Sequence, residues 1–570
     1  TRYSQTGEQG GDNTMVQGVV NIPLIEDELA IRAVVYQFDN SGYIDNVAAS
    51  QPNAEFAFAT AIAGTGVARD QSEVGSDEYT GFRLAALWQP LDQLNITLGY
   101  TQQEIEQDGF PEVNNNLAEP FQQIRLGVGP GGSRDQSLNN DLDITNLVLN
   151  YDLGWGRVTS ASSWIDFNAV SETDFSSFFF APYYGIYNTS QDVFIEELRF
   201  SSELDGPFQF LAGLYYEDRD IHLTTPWLWS GDVTVSDPTA LFLFVDEQTA
   251  LEQKAIFTEL TYEVTEQLSA TFGARHFEYD QEFVNLGFIG STPFLGDNTL
   301  NESGDTYKAN LSYSPNDDLL IYGQWAEGFR LGQAASAPIA SLCDADSNGL
   351  LDDVGFADPG PLASDRSENF ELGIKASLAD GRITVNAAVY RIDWQDMPVS
   401  ISLPSCSGTV RLNAAESKSE GVELEVQARI AENLRLDISA SYGEATLTAD
   451  ANNIGVKGDN LPGSADFNMS VGMEYDFTLA GADAFVRGDY AYIGEFYHNV
   501  AETGEASGGY GQLNIKTGIT VNAFDIDLFI NNLTNEDDFT WVETTQVNFF
   551  GNSAYRLRPR TMGLNIAYQF

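Results

Sequence analysis

The chain has 570 residues, 84 Asp+Glu against 27 Lys+Arg, and a formal net charge of −57. That balance excludes a nucleic-acid binder that works by neutralising phosphates, and a basic helix for anionic lipid. The 43% of hydrophobic residues, spread along the whole chain, exclude wholesale disorder.

Other absences narrow the reading further. His222, His276, His498, Cys343 and Cys406 are too scattered for a local metal or thiol motif. No run approaches 18 apolar residues, so no membrane-spanning helix is predicted. The chain starts at Thr1 with neither an initiator Met nor a signal sequence, which reads as a mature protein or a fragment of one.

The dominant pattern has a period of two. Thr1 to Thr6 reads as the tail of a strand, and Thr14 to Ile22 as the next. Phe370, Leu372, Ile374, Ala376 and Leu378 share one parity ahead of an Asp380–Gly381 hairpin signal. Val422, Leu424, Val426, Ala428 and Ile430 alternate with Glu423, Glu425, Gln427 and Arg429. After Glu432–Asn433, Leu434, Leu436, Ile438, Ala440 and Tyr442 alternate with Arg435, Asp437, Ser439 and Ser441. Leu513, Ile515, Thr517, Ile519 and Val521 alternate with Gln512, Asn514, Lys516 and Thr520. Phe524, Ile526, Leu528 and Ile530 then alternate with Asp525 and Asp527, and a last strand runs from about Arg556 to Phe570. Residues two apart in a strand share a face, so one face is apolar and the other charged. A helix would need apolar residues near i, i+3, i+4 and i+7, and these segments lack them.

A soluble β-sandwich or propeller also alternates. The strands read here as about 9 to 12 residues, however, against about 5 to 6 in soluble sheets. The charged parity suits a watery lumen. Short turns fall near Glu26–Asp27, Pro90–Asp92, Gly154–Gly156, Asp205–Pro207, Thr265–Glu266, Pro315–Asp317, Asp380–Gly381, Glu432–Asn433, Ala480–Gly481 and Asn522–Ala523. Each joins two strands, and the two terminal segments complete a count of 22, with the first strand truncated. Loops of about 20 to 40 residues remain between these hairpins. Short turns on one side and long loops on the other are the pattern of an outer-membrane barrel, with the loops outside the cell. The expected fold is all-β: a 22-stranded antiparallel transmembrane β-barrel spanning 1–570.

Several stretches then carry a family resemblance. They are Asn21–Leu24 with Leu29–Arg32 and Gly42–Asn46; Tyr322 through Glu327–Arg330; Glu371–Lys375; and Asn413–Ala414 through Ser419–Glu425. Leu461–Ser464, Asn531–Asn535 and Arg558–Thr561 leading to Tyr568–Phe570 complete the set. Together and in this order they resemble the barrel domain of a TonB-dependent outer-membrane receptor. Phe570, with Tyr568, Ile566 and Leu564 on one parity, also resembles the terminal signal that such barrels present to their assembly machinery.

The resemblance implies an outer-membrane receptor for a scarce, large nutrient, above all an iron–siderophore complex, energised through the TonB–ExbB–ExbD complex. Cobalamin, haem and oligosaccharide are the alternative cargoes within the family. It also implies an N-terminal plug domain and TonB box, neither of which is in this sequence, and a monomer set among lipopolysaccharide and outer-membrane lipid. Without the plug, the lumenal charges Glu423, Glu425, Arg429, Arg435, Asp437, Lys516, Asp525 and Asp527 are expected to lack partners. Two readings from other classes stand beside this one: a passive porin whose acidic lumen selects cations, and a structural or adhesive surface protein. The lone histidines lack catalytic context, so no enzyme is predicted and no cofactor is required. The net charge disfavours a strongly anionic ligand unless arginines are local to it.

Three loop features are candidates for further chemistry. Cys343 and Cys406 fall in neighbouring exterior loops, in an oxidising setting. A disulfide there would contribute about 4 kcal/mol by the loop-entropy argument. Asp344, Asp346, Asn348 and Asp352 follow the first half of a calcium-binding loop, with Gly349 at the turn, but Gly355 stands where a bidentate Glu is expected. A structural Ca²⁺ is therefore a candidate. Phe178, Phe179, Phe180, Tyr183, Tyr184 and Tyr187 in one loop, and Trp227 and Trp229 in the next, are candidates for stacking on a ligand.

Overall fold

A computed structural model describes residues 1–50, 69–117, 119–125, 128–129, 132–133, 135–175, 183–229, 241–334, 343–353, 355–357, 360–403, 408–451, 454–542 and 552–570. Twenty-two strands close into one antiparallel barrel. They are β1 (Arg2–Thr6), β2 (Asp12–Ile25), β3 (Leu29–Asn40), β4 (Ser76–Leu91), β5 (Leu94–Asp108), β6 (Ser137–Asp152), β7 (Gly156–Asp174) and β8 (Tyr183–Ser202). There follow β9 (Phe208–Thr224), β10 (Leu241–Thr265), β11 (Leu268–Ile289), β12 (Thr292–Asn316), β13 (Leu319–Arg330), β14 (Asp365–Leu378) and β15 (Ile383–Leu403). The last are β16 (Gly408–Ala431), β17 (Leu434–Leu447), β18 (Phe467–Leu479), β19 (Ala482–Ile493), β20 (Tyr510–Val521), β21 (Phe524–Asn531) and β22 (Thr561–Tyr568). The short strand Trp227–Trp229 adds to the same sheet. Closure comes from β1, which pairs with β2 on one side and β22 on the other.

All ten predicted turns join consecutive strands. Several need left-handed backbone: Asp27 (φ 58°), Asp380 (φ 58°) with Gly381 (φ 77°), Ala480 (φ 53°) with Gly481 (φ 88°), and Asn522 (φ 56°). Asn, Asp and Gly reach this region at least cost, which is why these dipeptides read as hairpins.

The apolar parity faces outward. Val35, Leu84, Leu98, Leu214, Ile256, Leu311, Leu372, Val389, Val422 and Leu528 are all exposed large hydrophobics. Next to the short turns the outer face carries Trp88, Tyr151, Trp155, Tyr262, Tyr313, Tyr475 and Tyr568, as suits the membrane–water boundary.

Two expectations are corrected. Several strands are far longer than 12 residues: β10 and β12 each have 25, β11 has 22 and β16 has 24. They run on beyond the bilayer, and their outer face changes character, as in β11 from Phe272 to Glu278, Asp280 and Glu282. In consequence the exterior connection after β11 is only Gly290–Ser291, not a loop of 20 or more residues.

The wall also divides toward the exterior. β12 and β13 pair only from Lys308↔Ala326 downward. Above that level the inner face of β10–β12 packs on the upper end of β13 and the segment that follows it. Phe277 stacks on Phe329 at 3.6 Å, and the Tyr279 hydroxyl donates to Glu302 at 2.7 Å and accepts from Gly332 N–H at 2.8 Å.

Candidate functional site

The lumen wall is built from the polar parity. Arg435 pairs with Glu474 and with Asp476 (3.3 Å), and Arg487 with Asp437 (3.0 Å) and Asp489 (2.7 Å). Lys516 pairs with Asp527 at 3.0 Å, Lys308 with Glu259, and Arg219 with Glu217. Glu425 accepts from Asn386 at 3.3 Å, and Asp525 accepts from Thr520 at 2.7 Å. The expectation that Glu425, Arg435, Asp437, Lys516, Asp525 and Asp527 lack partners is therefore corrected. Cross-strand neighbours on the same face supply them. Sequence spacing hides this, because Arg435 and Glu474 meet only through the register of β17 with β18. Of the eight, Glu423, Glu425, Arg429 and Asp525 have no ion pair among the described residues, and Glu423 and Arg429 have no side-chain hydrogen bond there either.

At the exterior end, three connections condense into one cap. Glu112–Asn114 pairs with Ser553–Arg556, which pairs with Phe539–Val542; Ile44–Val47 pairs with Asp70–Val74 and Gln122–Gln123. Tyr43, Ile44, Val74, Val113, Phe121, Val542 and Ala554 form its core. Arg125, only 4% exposed, is held by Glu112 (2.6 Å) and Ser553 (3.1 Å). The Tyr555 hydroxyl donates to Glu112 at 2.9 Å, and burial followed by the charge of Glu112 raises its pKa. Arg558 lies over the Tyr43 ring and donates to Asn13 Oδ1 and the Ser41 carbonyl, both at 2.8 Å; burial lowers its pKa.

The candidate aromatics distribute unevenly. Tyr184 is fully buried, and its hydroxyl donates to the Asp135 carbonyl at 2.6 Å and to Glu172 at 2.8 Å. Trp227 stacks on Phe175 at 4.5 Å, and the Phe175 ring also meets Tyr187 at 6.4 Å. Tyr183 pairs with Trp229 in strand register. Tyr184, Tyr187 and Trp227 are thus brought together as packing between β8 and the short strand. Phe178, Phe179 and Phe180 lie outside the described residues.

In the acidic turn, carboxylate oxygens of Asp344, Asp346 and Asp352 lie within 4.8 Å of one another. Desolvation works against ionisation of Asp344, but the N–H groups of Gly349 and Asn348 outweigh it and hold the carboxyl below its ordinary range. Asn348 is exposed, its Oδ1 accepting from Leu350 N–H at 2.8 Å and its Nδ2 donating to Asp346 at 2.9 Å. Three of the four candidate ligands therefore converge, and Asn348 serves the turn. Cys343 is buried among Leu351, Ile401, Leu403 and Val410, and no described cysteine is free; Cys406 lies outside the described residues.

One feature escaped the sequence. A polar pocket of about 470 Å³ opens from the lumen wall at the barrel seam, where β1 and β2 meet β20–β22. The only hint was the run of Asn and Gln at strand ends: Asn13, Asn40, Gln512, Asn514 and Asn531.

Comparison with known proteins agrees with this architecture. The pattern of the family described as "TonB dependent receptor-like, beta-barrel" matches residues 107–533. The "Probable TonB-dependent siderophore receptor PiuA" of Acinetobacter baumannii is 22% identical over 349 residues, covering 58% of this chain and 43% of that protein. The "Metal-pseudopaline receptor CntO" of Pseudomonas aeruginosa is 30% identical over 162 residues, covering 28% of this chain and 21% of that protein. The chain thus spans less than half the length of these curated relatives. The crystal structure of the ferric yersiniabactin uptake receptor FyuA from Yersinia pestis superposes with a TM-score of 0.80 at 17% identity, over 100% of this chain and 80% of that one. With the match covering most of its length and the closed 22-strand barrel, this chain belongs to the TonB-dependent receptor-like β-barrel family of the bacterial outer membrane.

Proposed function

We propose that this chain forms the barrel of an active outer-membrane importer for an iron–siderophore complex, driven through TonB acting on a plug domain encoded upstream. The observation that carries this reading is the charge distribution. Lumenal cations pair with carboxylates along the wall, as Arg435, Arg487 and Lys516 do. A cation-selective porin would instead line its lumen with unpaired carboxylates. The siderophore receptors named among the relatives favour ferric chelates over cobalamin, haem or oligosaccharide.

The test is uptake of radiolabelled iron under iron starvation. Deleting the gene should abolish accumulation from one siderophore, and deleting TonB should do the same. Uptake indifferent to TonB would transfer the function to the porin reading.

The loop proposals have their own measurements. Cys343 and Cys406 form a disulfide, so a non-reduced digest should yield one crosslinked peptide that dithiothreitol separates; two free alkylated cysteines would refute it. The turn at Asp344, Asp346 and Asp352 holds a structural Ca²⁺. Calorimetry should show one Ca²⁺ site that Asp344→Asn weakens at least tenfold; the same titration in the variant would remove the ion from this turn. Tyr184 is fully buried, which leaves Tyr187 and Trp227 among the candidate aromatics as the ones to test by substitution.

A further inference from the structure

The lipid-facing wall is not evenly covered. Across β9 to β15 it holds a shallow apolar groove of about 1120 Å³. Leu260, Phe272, Leu311, Phe370, Leu372 and Val389 stand along it, and all six are exposed. Its floor is made by small residues of the same outward parity, Ala270, Ala309 and Gly323. Gly323 lies in register between Leu311 and Leu372, so a residue with no side chain sits between two large ones. A Cβ added at Gly323 would meet no atom within 4 Å, so the space above it is open. This is the outer side of the sheet, and a domain that fills the lumen leaves it unchanged.

The groove runs obliquely, from Phe208 and Tyr262 beside the short turns to Arg391. Arg391 shares the outward parity of Val389 and lies about ten residues beyond the Asp380–Gly381 turn. At about 3.3 Å per residue and a tilt of about 40°, that is a rise of about 25 Å, the height of the apolar band. Its guanidinium is therefore at the headgroup level of the exterior leaflet. Lys418 joins it on β16, with the outward parity of Val422, where Arg391 faces Glu420 and Lys418 faces Asp393. Arg391 gives Nε and Nη2 to Asp393, the latter at 2.7 Å, and its Nη1 makes no hydrogen bond among the described residues. Lys418 pairs with Glu420 and keeps further N–H groups of its ammonium. On β11 the outward parity toward the exterior is instead Glu278, Asp280 and Glu282, which repel a phosphate. An open hydrocarbon groove thus ends in two cations at the height where lipid phosphates lie.

We propose that this groove holds an acyl chain of a phosphorylated glycolipid of the outer leaflet, with a lipid phosphate on Arg391 and Lys418. The cations stand at the exterior end, so the lipid belongs to the outer leaflet, which in a bacterial outer membrane is built of acylated, phosphorylated glycolipid. The bilayer is the general surroundings of this wall; the proposal adds one stoichiometric lipid at one place on it. It does not depend on the import reading.

The test is native mass spectrometry of the full 570-residue chain in detergent, with diphosphoryl lipid A and dioleoyl phosphatidylglycerol as separate probes. One lipid A per barrel should survive activation that strips phosphatidylglycerol. Gly323→Phe, which fills the groove, should weaken retention at least about tenfold. Arg391→Gln should weaken it about fivefold. Gly488→Phe is the matched control: Gly488 lies on β19 between the exposed Val486 and Tyr490, and a Cβ there also meets no atom within 4 Å. That variant should retain lipid A as the parent does. Heat-modifiable migration on gels checks that each variant keeps its barrel. Absence of a stoichiometric lipid A overturns the proposal, and so does phosphatidylglycerol held as tightly. Equal loss with Gly488→Phe also overturns it, since that assigns retention to the lipid-facing wall as a whole. Unchanged retention in Gly323→Phe or in Arg391→Gln does the same.

Discussion

Replacing Leu372 by arginine is expected to destabilise the barrel by about 2–4 kcal/mol. Leu372 is 57% exposed and lies between Gly323 and Val389 of the neighbouring strands. Phe370 and Ile374 flank it on the same outward face. In the bilayer that exposure is to acyl chains, so a guanidinium there loses its water and finds no partner. Reversible urea unfolding from phosphatidylcholine vesicles would measure the loss. The matched control is Gln427→Arg on the lumen face, directly opposite Asp437. That change meets a carboxylate and water and should stay within about 1 kcal/mol of the parent. Equal losses at the two positions would show that the inside and outside faces are misassigned.

Glu112→Ala should open the exterior cap while leaving the barrel intact. The substitution strands Arg125, only 4% exposed, without its carboxylate, and also takes away the acceptor of Tyr555. Breaking one side of a buried ion pair costs about 3–5 kcal/mol. The three connections of the cap meet through small strands and one shared core, so the loss should spread across them. Amide hydrogen exchange in Glu112–Asn114 and Ser553–Arg556 should accelerate by roughly a hundredfold or more, with β14–β18 unchanged. Protection unaltered in the cap would mean that its apolar core holds without the pair.

The short turns were legible because their chemistry is local. Asp380–Gly381 and Asn522–Ala523 need only their own backbone preferences to reverse the chain. Strand length was less legible, since alternation continues while its meaning changes. In β11 the outward parity passes from Phe272 to Glu278 without breaking period, so the sequence alone could not show where the bilayer ends and a free-standing ribbon begins. The aromatic candidates failed to separate for a similar reason. Tyr184 and Tyr187 have the same neighbourhood in sequence, yet only Tyr184 is sealed by Asp135 and Glu172.

By itself the sequence determined the class, the strand count, the side of the short turns and the outward face. Each follows from constraints acting within one strand or one hairpin, because lipid demands an apolar residue at every second position. Only the tertiary structure decided which lumenal charges pair, which loops merge into a cap, and that a polar pocket lies at the seam. Those properties depend on register between strands distant in the chain. Arg2 shares a pocket with Gln512 and Asn531 only because β1 closes the barrel against β22. Cross-strand geometry of that kind leaves no periodic trace in the sequence.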